Sequence, residues 1–257
     1  MNNIVYYVCA VYGLLIGSFL NVLIYRLPKR ESIIIGRSHC PRCDKTLKFY
    51  ELIPVLSYLG LRGKCHKCGC KISIIYPVVE ILTATLYYVT VRQLTNEVDI
   101  NYKVALSIAI TLAIVSILIA LSFIDIATFI LPDKLVLTIL PLAVAQSVLN
   151  SGTERLQHSI EGGLLFGGIF YLIHIIKPNG LGLGDVKLIT AIGVLLGVIN
   201  TMMVIFIASL LGTLYGVLSI LSGTNNRKSI IPFGPFLSVA TFIILLWSSD
   251  ILNLILR

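Results

Sequence analysis

The sequence predicts an all-α polytopic membrane protein with about eight transmembrane helices and a cytoplasmic cysteine-bearing loop between the first two. Composition, the length of the apolar runs and the placement of charge together predict this class. Of the 257 residues, 57% are hydrophobic and 12% charged, with a mean hydropathy of +0.94, values outside those of ordinary water-soluble domains. Crossing about 30 Å of hydrocarbon takes roughly 17–25 residues of helix. Runs of that order lie near 5–26, 76–92, 103–124, 133–149, 160–176, 186–200, 201–222 and 231–249.

The net charge of +8 excludes nothing by itself, but its distribution argues against a nucleic-acid partner. Between Arg26 and Lys71 there are eleven Lys/Arg against three acids, Glu31, Asp44 and Glu51, while the rest of the chain balances at nine against nine. The surplus therefore sits in one loop, and the positive-inside rule puts that loop in the cytoplasm. Threading eight spans from it leaves sixteen of twenty Lys/Arg inside, both termini outside, and the turns 125–134 and 177–187 on the cytoplasmic face. The start, Met1-Asn-Asn-Ile-Val-Tyr-Tyr, has no basic residue before its apolar run, and Lys29 and Arg30 follow that run. It reads as a reversed anchor and not as a cleaved signal.

Three segments follow: a first transmembrane helix over 1–27, a Cys-rich loop over 28–75 and a membrane core over 76–257. In the loop, Cys40-Pro-Arg-Cys43 and Cys65-His-Lys-Cys68 form two knuckles separated by 21 residues. Thiolates at the ends of two tight turns can complete a tetrahedral zinc site, the zinc-ribbon pattern. Two disulfides are the alternative, disfavoured in a reducing compartment. His39, His66 and Cys70 read as neighbours of the site, and Cys9 as a packed apolar residue. Four thiolates close the coordination sphere, so this metal is structural.

Two acids stand at the ends of apolar runs. Asp125 ends the third run, followed by Leu131-Pro132-Asp133, and Asp185 lies in Gly180-Leu-Gly182-Leu-Gly184-Asp185-Val-Lys187. Ionisable residues beside a bilayer are costly and mark functional sites. Two close carboxylates can share a proton and activate water against an amide, one as base and one as acid. The helix dipole favours an anion at Asp185 and disfavours it at Asp125, which assigns Asp185 as base. Asp133 suits the first turn of a helix equally well as a cap. The Gly-rich stretch fits neither the dinucleotide nor the Walker pattern.

These residues resemble the type IV prepilin peptidases, the bifunctional leader peptidases and N-methyltransferases among the Gly-x-Gly-Asp intramembrane aspartyl proteases. The resemblance is carried by Gly17-Ser-Phe-Leu-Asn21-Val, Arg26-Leu-Pro28, the cysteine pairs, Glu51-Leu-Ile-Pro54-Val-Leu-Ser57-Tyr and Tyr76-Pro77-Val-Val-Glu80. It continues through Asp125-x5-Leu-Pro-Asp133, the Gly-x-Gly-Asp185 motif and Pro232-Phe-Gly-Pro235-Phe. It implies Asp125 and Asp185 as the catalytic pair, supported by Gly182, Gly184, Asp133 and Lys187. The substrates it implies are prepilins or pseudopilins, cut after a glycine at the cytoplasmic face of the cell (inner) membrane. The new amino terminus would be methylated from S-adenosylmethionine, with Glu51, Asn21 and Arg26 as candidate methyltransferase residues beside the zinc loop. A peptidase whose loop only docks substrate, and a proton-coupled transporter, are the competing readings. Besides substrates, the expected partners are membrane lipids, with no nucleic acid.

Overall fold

The computed structural model describes residues 4–33, 36–95, 101–177, 180–223 and 231–255. All its extended elements are helices: α1 (Ile4–Arg26), α2 (Leu56–Gly60), α3 (Ile75–Thr95), α4 (Tyr102–Thr128), α5 (Asp133–Ile176), α6 (Leu183–Leu221) and α7 (Gly234–Ile255). A 3-10 turn covers Phe49–Leu52. Among the described residues, five stretches are long and apolar enough to cross a membrane: Ile4–Arg26, Tyr102–Thr128, Leu156–Ile176, Leu183–Leu221 and Gly234–Leu254. The expected count of eight exceeds these five. The run 76–92 forms α3, but Glu80 and Arg92 interrupt its apolar character.

The other difference is continuity. The expected runs 133–149 and 160–176 share α5, and 186–200 and 201–222 share α6. Neither is one straight rod. Ser147 Oγ lies 2.7 Å from Ser159 Oγ, although twelve residues of straight helix rise about 18 Å. The axis of α5 therefore folds back between them. In α6, Gly197 takes φ +75°, a conformation costly for a side chain, and the Thr201 hydroxyl donates to Gly197 O at 2.6 Å. Arg227 and Lys228, used in the charge argument, lie outside the described residues.

The chain forms two compact units, Met1–Ile100 and Asn101–Arg257. In the first, α1 packs on α3 through Gly13 and Gly17, where an added Cβ would stand 2.8 Å from Ala84 Cα and 2.7 Å from Glu80 Cα. This Gly-x-x-x-Gly spacing lets helix backbones approach in lipid. Tyr6 is buried and meets Tyr88 edge to face. In the second unit, Ile114, Leu121, Ile139, Leu188, Ile192 and Leu237 belong to one apolar core that joins α4, α5, α6 and α7. Gly162 on α5 faces Gly193 on α6 so closely that a Cβ on either would stand 2.6 Å from the other's carbonyl oxygen.

Candidate active site

Asp125 lies in the last turn of α4, one turn before the helix ends at Thr128. Phe129 then adopts a left-handed φ of 55° and its N–H closes the helix on Asp125 O at 2.8 Å. The Asp125 carboxylate is buried, and its Oδ2 accepts the Gly234 N–H at 2.9 Å. Gly234 opens α7, so that amide is one of the unpaired donors every helix N-terminus presents. A side chain there is excluded, since a Cβ would reach 2.7 Å from Oδ2.

Asp185 occupies the first turn of α6 after Gly182 at the N-cap. Its amide donates to Gly182 O at 3.1 Å, and its Oδ2 folds back to within 3.3 Å of where a Cβ on Gly182 would lie. The two carboxylates are within electrostatic reach of each other. Leu131 is packed beside both, with its Cβ 3.0 Å from a Cβ position on Gly184 and its Cδ2 3.2 Å from one on Gly234. Gly182 and Gly184 thus keep side-chain bulk out of the space around the acids. Each aspartate lies beside the amide end of a helix, so the dipole argument that separated their roles has a counterweight at Asp125 in Gly234.

Asp133 opens α5, and its Oδ1 accepts from Lys187 Nζ at 2.7 Å on the exposed edge of the site. The pair ties the first turns of α5 and α6 together. His174 has its Nδ1 2.7 Å from Leu181 O and so holds the turn before α6. Sequence reasoning quoted the Pro232-Phe-Gly-Pro235 segment without giving Gly234 a role. The signal for the helix contacts, Gly-x-x-x-Gly at 13–17, 163–167 and 193–197, was present in the sequence.

In the other unit, the four sulfurs of Cys40, Cys43, Cys65 and Cys68 lie within 4.8 Å of one another. The two knuckles repeat one geometry: Cys40 N–H donates to Lys45 O and Cys65 N–H to Cys70 O, with Asp44 and Gly69 each at positive φ. Antiparallel bridges His39–Thr46 and Lys64–Lys71 flank them. Four thiols at this spacing fit a tetrahedral zinc ion. Backbone N–H donation from Arg42 brings Cys40 down to about 6, whereas burial and the neighbouring sulfurs push Cys43 up to about 11. Cys70, 3.5 Å from Cys40, is pushed up to about 12 by Cys68 and Cys40.

The three candidate methyltransferase residues have partners of their own. Asn21 donates to Tyr76 O at 3.1 Å. Arg26, buried at the end of α1, donates to Ser32 O, Gly36 O and Arg37 O. Glu51 is buried, paired with Lys45 at 2.6 Å and capped by the Lys48 N–H at 2.8 Å. The Lys45 ammonium and that amide hold the Glu51 carboxyl below the usual carboxylate range. Glu51 also lines an open cleft of about 260 Å³ with Tyr50, Ile53, Leu56, Ser57, Gly60 and Leu61.

Residues 11–94 match the model of the bacterial peptidase A24 N-terminal domain, and residues 112–217 that of the type IV leader peptidase family. Over 250 residues the chain is 33% identical to a Bacillus subtilis (strain 168) protein, covering 96% of each. The chain belongs to the type IV leader peptidase family. Another member, from Aeromonas salmonicida (strain A449), is 32% identical over 270 residues, covering 94% of this chain and 90% of its own. A Pseudomonas aeruginosa member is 32% identical over 266 residues, 93% of this chain and 89% of its own. All three bear the name prepilin leader peptidase/N-methyltransferase. No solved structure matches the chain.

Proposed function

We propose that the chain is an intramembrane aspartyl endopeptidase that removes the basic leader of type IV prepilins or pseudopilins after a glycine and N-methylates the new amino terminus. The observation that carries the peptidase half is the meeting of the two acid-bearing helix ends at Leu131, which lies against Gly234 beside the Asp125 carboxylate and against Gly184 beside Asp185, with Asp125 buried at the end of α4 and Asp185 in the first turn of α6. Two such carboxylates share one proton. The ionised member takes a proton from water as its oxygen attacks the scissile carbonyl, and the protonated member delivers its proton to the departing amine nitrogen. The new carboxyl and amino ends form, and the dyad recovers its single proton. The Gly-lined approach at Gly182 and Gly184 suits an extended substrate backbone. The excess of basic residues in 28–75 supports a cytoplasmic position for that loop, and the same rule supports the dyad's placement at the cytoplasmic face of the membrane.

Residues 1–27 then serve as a first transmembrane helix, 28–75 as a zinc-stabilised loop associated with methyl transfer and 76–257 as the peptidase core. Cys40, Cys43, Cys65 and Cys68 would hold the zinc, which supplies shape and no chemistry. The cleft beside Glu51 is the proposed place for S-adenosylmethionine-dependent methylation, supported by the names of the relatives.

Mass spectrometry of a co-expressed prepilin tests both halves. The wild type should yield a shortened, methylated chain, and Asp125→Asn or Asp185→Asn should slow cleavage by roughly 10²–10⁴-fold or more. Normal cleavage by either variant would remove the dyad reading. Cleavage without methyl transfer from labelled S-adenosylmethionine would leave a peptidase whose loop only docks substrate.

A further inference from the structure

The loop between α1 and α3 has two kinds of exposed surface. On the knuckles the exposed side chains include Arg42, Asp44, Lys64, His66 and Lys67. On the segment joining them they are apolar: Phe49 is 88% exposed, Leu56 67% and Leu59 63%, with Leu52 and Ile53 also exposed. Leu56 and Leu59 fall on one face of α2, three residues apart. A zinc-held loop of mainly polar residues that carries this much open apolar surface in one stretch has an interaction face.

What covers that face is indicated by a tether. The N–H of Val55 donates to Glu80 Oε2 at 2.7 Å, and Glu80 is buried in the second turn of α3. Glu80 lies five residues beyond Ile75, about 7–8 Å along the helix axis. The apolar segment is thereby fixed beside the first turns of α3 and not out beyond its end. The bond holds a strained element: Val55, β-branched, sits at φ +61° in a three-residue turn closed by Leu56 N–H on Pro54 O, a conformation that persists only when its surroundings impose it. Ile74, Ile75 and Tyr76, at the start of α3, are exposed apolar residues at the same level. Exposed cations flank the segment on both sides, Lys48 before it and Arg62 and Lys64 after it.

From this placement we propose that residues 49–59 form an interfacial anchor that inserts its apolar side chains into the headgroup boundary of an anionic bilayer, with Glu80 as the residue that sets its depth. Apolar residues at the acyl boundary and lysines among anionic headgroups are the arrangement by which amphipathic segments lie in a membrane surface. An anchored segment would also fix the cleft beside Glu51 at the membrane surface. The proposal needs only that α1 stands in a membrane with α3 packed against it, and it does not depend on the peptidase chemistry.

The test uses the full chain with Trp247→Phe, reconstituted in phosphatidylethanolamine/phosphatidylglycerol vesicles without substrate. Phe49→Trp and Leu59→Trp serve as separate reporters, Tyr12→Trp on α1 as the lipid-facing control and Lys67→Trp as the aqueous one. Lipids brominated near the headgroup should quench both reporters roughly twofold or more relative to Lys67→Trp, and iodide should quench them less. Adding Glu80→Ala should shift both reporters toward iodide quenching and leave Tyr12→Trp unchanged. Iodide quenching of both reporters in the parent overturns the proposal. Protection from both quenchers, which marks a second copy or another protein on this face, overturns it, and so does bromolipid quenching that appears only after a prepilin is added. Equal quenching in phosphatidylcholine vesicles overturns the anionic requirement. Metal content and prepilin cleavage of each reporter, measured alongside, separate a failed fold or a failed enzyme reading from a failed anchor.

Discussion

In the unit Met1–Ile100, the segment between α1 and α3 keeps its shape through polar groups: four clustered thiols, a guanidinium on three carbonyls, a buried ion pair and a carboxylate on a strained amide. In Asn101–Arg257, the two aspartates are carried by helices whose contacts are mainly apolar or glycine on backbone. The difference follows from solvent. A short loop in water has little apolar area to bury and needs a metal or specific polar bonds to offset its conformational entropy. Helices in lipid gain nothing from burying leucine against leucine and associate where small residues let backbones meet.

The largest expected effect that separates the two regions is loss of the metal. Cys40→Ser should remove about one zinc ion per chain and with it an apparent stabilisation of roughly 10 kcal/mol or more, read as metal content and as new protease cleavage within 28–75. The helices of the second unit should keep their thermal transition. A joint loss would show that the two regions do not hold themselves independently.

The converse experiment is steric. Gly193→Ala puts a methyl group 2.6 Å from Gly162 O, so α5 and α6 must separate, at a cost of about 1–3 kcal/mol. Thermal unfolding should report that cost, prepilin cleavage should fall, and zinc content should stay at the wild-type level. Gly168→Ala is the control, because nothing stands within 4 Å of a Cβ there, and helix propensity favours alanine by roughly 1 kcal/mol. Equal losses in the two variants would refute close packing as the cause.

The polar side of the comparison has a pH signature. Lys45 and the Lys48 amide lower the folded-state pKa of Glu51 below its ordinary value, and Glu51 in turn raises that of Lys45. A depressed carboxyl contributes stability in full above its unfolded pKa of about 4.3, and that contribution is lost as pH falls through the lower folded value. Carbon-13 NMR of labelled glutamate should show one resonance titrating below the ordinary range and missing in Glu51→Gln. A Glu51 midpoint at or above the ordinary value would mean that the ion pair does not form.

How much of this was legible follows the same division. Two knuckles separated by 21 residues announce themselves because each ligand pair is local, and the structure places their sulfurs together. Asp125 and Asp185 stood out because charge is scarce in apolar sequence. What surrounds them was hidden: the amide on Asp125 comes from Gly234, 109 residues away, and no local pattern encodes that meeting. Span counting also had its limit, since hydropathy registers how long a run is and not where an axis folds back, as it does between Ser147 and Ser159.

The smallest expected effect lies where the two kinds of bonding meet, at the ion pair on the rim of the dyad. Lys187 and Asp133 are 2.7 Å apart, but their side chains are 44% and 59% exposed, and exposed pairs contribute about 0–1 kcal/mol. Lys187→Met should therefore lower thermal stability by no more than about 1 kcal/mol, an effect that fades as salt rises past the roughly 0.15 M at which screening reaches about 8 Å. If the pair only fastens α5 to α6, cleavage should fall in proportion to that small loss, and Lys187→Arg should restore it. A large loss of cleavage at unchanged stability would point elsewhere. Lys187 stands two residues after Asp185, and its charge would then be acting on the carboxylates or the substrate rather than on the helices.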